Sequence, residues 1–132
     1  MTVLVVDASA LVVAALGAGS AAQVRHRLAT EECHAPHLVD AELGDVFRRM
    51  ALRGALPAAH ALAALRASGR MIDFRHDQVG RLAELAWRLR DNLTFYDALY
   101  VALADVLSAP LLTADHRLAG TPRLPCAIEL VR

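Results

Sequence analysis

Apolar positions along the chain alternate between two patterns. Val3 to Val6 is an unbroken apolar run, as expected of a strand buried on both faces. Two helical stretches follow at about residues 9–16 and 21–29, parted by GAGS, and a second strand is expected around CHAP. The next helix runs through LVDAELGDVFRRMALRG, with Leu43, Val46, Phe47 and Met50 on one face and Gly54 as its stop. Pro57 is placed to open a further helix in its first turn. MIDF reads as a third strand, and VGRLAELAWRLRD as an amphipathic helix after it. TFYDALYVALADVL is then a nearly uncharged helix, broken before Pro110. PLLT reads as a fourth strand, ADHRLAG as a short helical turn and AIELV as a closing strand. Short strands alternating with helices predict an α/β fold built on a mainly parallel sheet.

Composition narrows the partners more than the fold. The 132 residues, 56% of them hydrophobic, suit a single domain spanning 1–132 with one core. Net charge is zero, so no global field advertises a nucleic acid or a membrane. All 14 basic residues are Arg, which excludes chemistry that needs a Lys nucleophile, Schiff base or phosphate clamp. Cys33 and Cys126 form no CxxC pair and read as buried thiols of a reducing compartment. The apolar N-terminus lacks a basic leader region and is split by Asp7, so the chain is expected to be soluble and cytoplasmic, without a membrane partner.

The acidic residues carry the chemistry. In a parallel sheet the C-terminal strand ends and the following helix N-termini share one edge, where ligands bind. Asp7 closes the first strand and Asp115 the fourth. Asp97 lies in the first turn of its helix, and the acids of VDAELGD open another. Each has an ordinary reading as a helix cap. Thr94 and Asp97, for example, fit a capping box in which each satisfies a backbone donor of the other. Together they form a set of carboxylates that repel unless protonated or met by cations. With no Lys to balance them, a hard dication is the expected partner, Mg²⁺ or Mn²⁺ held by oxygen ligands alone. Helical periodicity does not single out the fourth acid: Asp40 lies nearer the apolar face than Glu42, and Asp45 points away.

The strings VVDASAL, DAELGDVFRR, TFYDALYVALA and LLTADHRL resemble, in order, those of the PIN-domain family, and specifically its VapC-type ribonuclease toxins. The resemblance covers almost the whole chain. It implies a three-layer α/β/α sandwich and an endoribonuclease using one or two Mg²⁺ or Mn²⁺ ions, with an ion-activated water attacking a phosphodiester in line. A 5′-phosphate and a 3′-hydroxyl would remain. Residue by residue, it implies an acidic site of Asp7, Glu42, Asp97 and Asp115, choosing Glu42 by family pattern only. Ser9 and Thr113 match its small hydroxyl positions around the first and last Asp, and Thr94 the residue before YDA. It further implies a homodimer and a cognate antitoxin whose tail inserts an Arg toward the acids, in a possible larger assembly.

With no global basic charge, RNA attraction falls to local groups such as Arg48, Arg49, Arg53, Arg117 and His116, each of which also reads as an ordinary solvated residue. Cys33, His34 and His37 in CHAPH lack the second ligand pair that structural zinc requires. Trp87, Tyr96 and Tyr100 stand at helical positions expected to pack in the core. A receiver domain fits poorly because the Lys it pairs with its Asp is missing, and an aspartyl phosphatase because Ser9 stands where a second Asp is needed. The remaining rival is a non-catalytic PIN-like binding module whose acids only cap helices.

Overall fold

The computed structural model describes residues 1–17 and 19–131. Ala18, inside the GAGS break, and Arg132 lie outside the described residues. Five strands, β1 (Val3–Val6), β2 (Glu32–Pro36), β3 (Phe74–His76), β4 (Leu111–Thr113) and β5 (Ile128–Leu130), form one sheet in the order β3-β2-β1-β4-β5. Every pairing is parallel, with Val5 opposite both His34 and Leu111. β1 is the centre, and its Leu4, Val5 and Val6 are wholly buried, as a strand covered on both faces must be.

Helices α1 (Ala8–Leu16), α2 (Ala21–Thr30), α3 (Leu38–Leu52) and α4 (Ala58–Arg70) pack among themselves, while α5 (Arg81–Trp87) packs on α6 (Phe95–Leu107). α6 lies along β1, β2 and β4, and burial of Ala98 through Ala104 on every side accounts for its lack of charge. The short α7 (His116–Ala119) follows β4. The architecture is the expected α/β/α sandwich. Gly54, at φ 76°, ends α3 in the left-handed conformation, while the amide of Ala55 donates to the Met50 carbonyl. Among the described residues, no single helix is long and apolar enough to cross a bilayer.

Several local expectations are corrected. The third strand starts at Phe74, not Met71. The Asp73 amide donates to the Cys33 carbonyl, and the Asp73 carboxylate accepts from the Cys33 amide at 2.8 Å, so this residue ties the strand's entrance to β2. Pro57 sits at the N-cap of α4, one residue before the helix. α5 ends at Trp87 because Leu89 and Arg90 bond three residues back, tightening the chain into turns. Trp87 and Tyr96 are 60% and 59% exposed, so neither is core, whereas Tyr100 is buried. Arg90 lies over the Trp87 ring at 5.3 Å, a surface cation–π contact in place of core packing.

Candidate active site

The strand order reverses direction at β1 and β4, and open parallel sheets form their crevice outside the strand ends at that point. Asp7 and Asp115 follow these two strands. A cleft of about 520 Å³ opens there, lined by Asp7, Glu42, Asp97 and Asp115, with Ser9, Arg49 and Tyr100 also on its wall. The four acids come from four elements, and the cleft gathers all of them.

Asp7 is the most deeply held. Its Oδ1 accepts from the Ala10 amide at 3.0 Å and the Ser9 hydroxyl at 2.6 Å, and its Oδ2 from the Thr113 hydroxyl at 2.5 Å. Thr113 in turn receives the Asp115 amide at 3.0 Å, and Ser9 Oγ receives the Ala114 amide at 2.9 Å. Ser9 and Thr113 thus both serve Asp7 and stitch the start of α1 to the end of β4 and the residue after it. Burial pushes the Asp7 carboxyl above its usual range, against the pull of these hydrogen bonds, and the nearby Asp97 charge raises it further. Glu42 is also raised, first by burial, with Asp7 and Asp97 adding repulsion. The mutual repulsion of Asp7, Glu42 and Asp97 is consistent with their lining one cleft.

Cap and site roles separate here. Asp7 and Asp115 do cap α1 and α7, Asp115 by accepting from the Arg117 amide at 2.9 Å. Thr94 caps α6 by accepting from the Asp97 amide at 3.2 Å. Among the described residues the return bond of the expected capping box is absent, because the Asp97 carboxylate turns to Arg117 instead. Glu42 caps nothing; it accepts from the Tyr100 hydroxyl at 2.5 Å. Asp40 is bound by Arg75 at 2.7 Å, outside the cleft, whereas Asp45, expected to point away, lines it with Glu42 and is paired with Arg49.

Arg117, expected only as a local cation for RNA, pairs with two of the acids. Its Nη2 lies 2.7 Å from Asp97 Oδ2 and 3.1 Å from Asp115 Oδ2, so the acids are not left without a basic neighbour. Arg49 faces the cleft but is paired with Asp45 at 2.8 Å. Arg48 stands 3.9 Å from the same Asp45, and Arg48, Arg53 and His116 are exposed without lining the cleft. Among the described residues, no three Asp, Glu, His or Cys groups stand close enough to form a ready-made ion cage. The donor set nevertheless fits a hard dication: it is all oxygen, its charges repel, and a guanidinium already bridges two of its members. Such an ion also keeps waters and needs no complete protein cage.

The zinc reading of CHAPH fails on geometry. Cys33 Sγ turns to the carbonyls of Leu28 and Glu31, whereas His34 bonds His76 and Glu32, both at 2.7 Å. Burial pushes the Cys33 thiol up to about 12 and the Cys126 thiol to about 11, as befits inert cysteines.

Residues 4–124 match the sequence model of the PIN domain. Ribonuclease VapC1 of Mycobacterium tuberculosis is 52% identical over 129 residues, covering 97% of each chain. Ribonuclease VapC9 of the same organism is 45% identical over 128 residues, 97% of this chain and 98% of that one. The chain belongs to the PIN-domain family. Its relatives place it among the VapC-type PIN domains. The fold resembles that in the crystal structure of PAE2754 from Pyrobaculum aerophilum, at a TM-score of 0.73 and 25% identity, covering 96% of this chain and 83% of that one.

Within this PIN domain, Tyr100 is the site contact that the sequence reading assigned to plain packing. Its ring is buried, and its hydroxyl is held un-ionised by burial and by the Glu42 charge. Tyr100→Phe is expected to cost about 1–2 kcal/mol of unfolding free energy, the scale of a hydrogen bond to a charged group discounted for the partial exposure of Glu42. Urea denaturation reads this directly, and an unchanged midpoint would mean the bond contributes nothing.

Proposed function

We propose that this PIN domain is a Mg²⁺- or Mn²⁺-dependent endoribonuclease, the toxin of a VapBC-type pair with a cognate antitoxin. The observation that carries the reading is the gathering of Asp7, Glu42, Asp97 and Asp115 in one cleft at the sheet's switch point. It is supported by near full-length similarity to proteins named VapC ribonucleases.

In this reading Asp7, Asp97, Asp115 and Glu42 would hold one or two ions. A bound dication supplies the charge that lowers the pKa of an attacking water and stabilises the leaving 3′-oxygen. Ser9 and Thr113 fix both oxygens of Asp7, so its carboxylate is oriented before any ligand arrives. Tyr100 does the same for Glu42. Thr94 fixes the first turn of α6, which aims Asp97 at the cleft. Arg49 and Arg117 are the cleft's nearby cations for RNA phosphates. Assembly as a homodimer belongs to the same reading and is tested by light scattering.

The rival, a binding module with capping acids, draws support from the caps that Asp7 and Asp115 do form. It gives Asp97 and Glu42 no capping role, since the one carboxylate pairs with Arg117 and the other accepts from Tyr100. Purified protein incubated with total RNA separates the two. Cleavage with Mg²⁺ or Mn²⁺ that stops in EDTA, leaving 5′-phosphate and 3′-hydroxyl ends, is expected. Intact RNA under every metal condition would favour the binding module.

A further inference from the structure

Among the described residues, Arg117 is the one basic side chain placed between two of the site's acids. One guanidinium nitrogen, Nη2, touches Oδ2 of both Asp97 and Asp115. The remaining oxygen of Asp115 is committed to the backbone amides of Arg117 and Leu118. The Oδ2 atom of each acid is therefore already taken by the same cation. The guanidinium is also easily moved: its side chain is 62% exposed, against 21% for Asp97 and 33% for Asp115. Exposed pairs of this kind exchange readily with solvent and other ions.

We propose that Arg117 is an internal counter-ion of the acidic site, holding Asp97 and Asp115 in the ion-free protein and leaving them when a dication binds. The inference rests on the metal-dependent reading of the cleft. Its physical basis is competition: a dication bridging Asp97 and Asp115 through their Oδ2 atoms meets the guanidinium there, so ion binding includes the cost of expelling Arg117. If the arrangement with Arg117 withdrawn is about a tenth populated, apparent ion affinity is reduced about tenfold. The arrangement suits a nuclease whose acids must stay paired until metal arrives, because Asp97 and Asp115 are never left facing each other uncompensated. Release also hands the cleft a free guanidinium beside the newly bound ion, where a phosphodiester would lie.

The test is calorimetric titration of Mn²⁺ into the wild-type protein, Arg117→Gln and Arg49→Gln, in the absence of RNA. Arg49 is the control because it lines the same cleft but is occupied by Asp45. Arg117→Gln should bind Mn²⁺ about tenfold more tightly than wild type, and Arg49→Gln within about twofold of wild type, as expected for removal of a competitor and not of any positive charge near the cleft. Wild type and Arg117→Gln binding equally would overturn the counter-ion while leaving the metal site standing. Equal gains in both variants would likewise overturn it, since any lost positive charge would then suffice. Should none of the three proteins bind Mn²⁺, the metal-dependent reading fails and this inference fails with it.

Discussion

Asp7→Asn should lower divalent-dependent RNA cleavage about 10³-fold or more, the equivalent of roughly 4 kcal/mol of lost charge stabilisation. The same variant should fold. An Asn side chain can keep its carbonyl on the Ser9 hydroxyl and the Ala10 amide while its NH₂ donates to Thr113 Oγ1, which rotates its own proton away. The ion-free variant should be as stable as wild type or more so. Burial raises the folded-state pKa of Asp7 above its unfolded value, so native Asp7 binds its proton more tightly than unfolded Asp7 does. Its stabilising contribution is complete below the unfolded value, about 3.9, and is lost as pH rises through the folded value. Ionised Asp7 is thus a standing cost at neutral pH that Asn does not carry. Melting curves in EDTA should show the advantage of Asp7→Asn at pH 7–8 and its disappearance toward about pH 4. Adding Mn²⁺ should raise the wild-type melting point and leave the variant nearly unmoved. Cleavage by Asp7→Asn at the wild-type rate would remove Asp7 from the site. A large loss of stability would make it chiefly the cap of α1.

What the sequence made legible was local, and what it hid was long-range. The ends of β1 and β4 could be read because an apolar run stops at an Asp followed by a helix, so Asp7 and Asp115 were placeable on one edge. The centrality of β1 was not readable, since alternating elements do not fix which strands become neighbours. Glu42 was invisible to periodicity because the deciding fact is elsewhere: Asp40 is claimed by Arg75 on β3, 35 residues away. Tyr100 read as core, and its ring is core; only its hydroxyl, meeting a residue 58 positions earlier, belongs to the site. Arg117 was ranked with ordinary solvated residues because its pairing with Asp97 spans 20 residues and two elements. The error over Trp87 and Tyr96 has the opposite cause, since aromatic residues at helical spacing look buried even where no neighbouring element covers them.

Thr113→Val should be the most damaging conservative change near the site. Thr113 is wholly buried, and Val reproduces its shape, so no cavity opens and the loss is polar. Three contacts disappear at once: the 2.5 Å donation to Asp7, the acceptance of the Asp115 amide at 3.0 Å and the 3.2 Å approach to Ser9 Oγ. The Asp7 oxygen and the Asp115 amide are then left short of partners in a desolvated place. The expected cost is about 2–4 kcal/mol, and for a domain of this size a fall of about 10 °C in melting point. Thr113→Ser deletes only a methyl group and should cost about 1 kcal/mol. The two substitutions separate polarity from packing. If Ser proved as damaging as Val, the methyl and not the hydroxyl would hold this corner together. If Val alone is damaging, and Mn²⁺ restores less of its stability than it gives wild type, the hydroxyl is what fixes the buried carboxylate for its ligand. A residue that never touches the ion would then set how well the ion is held.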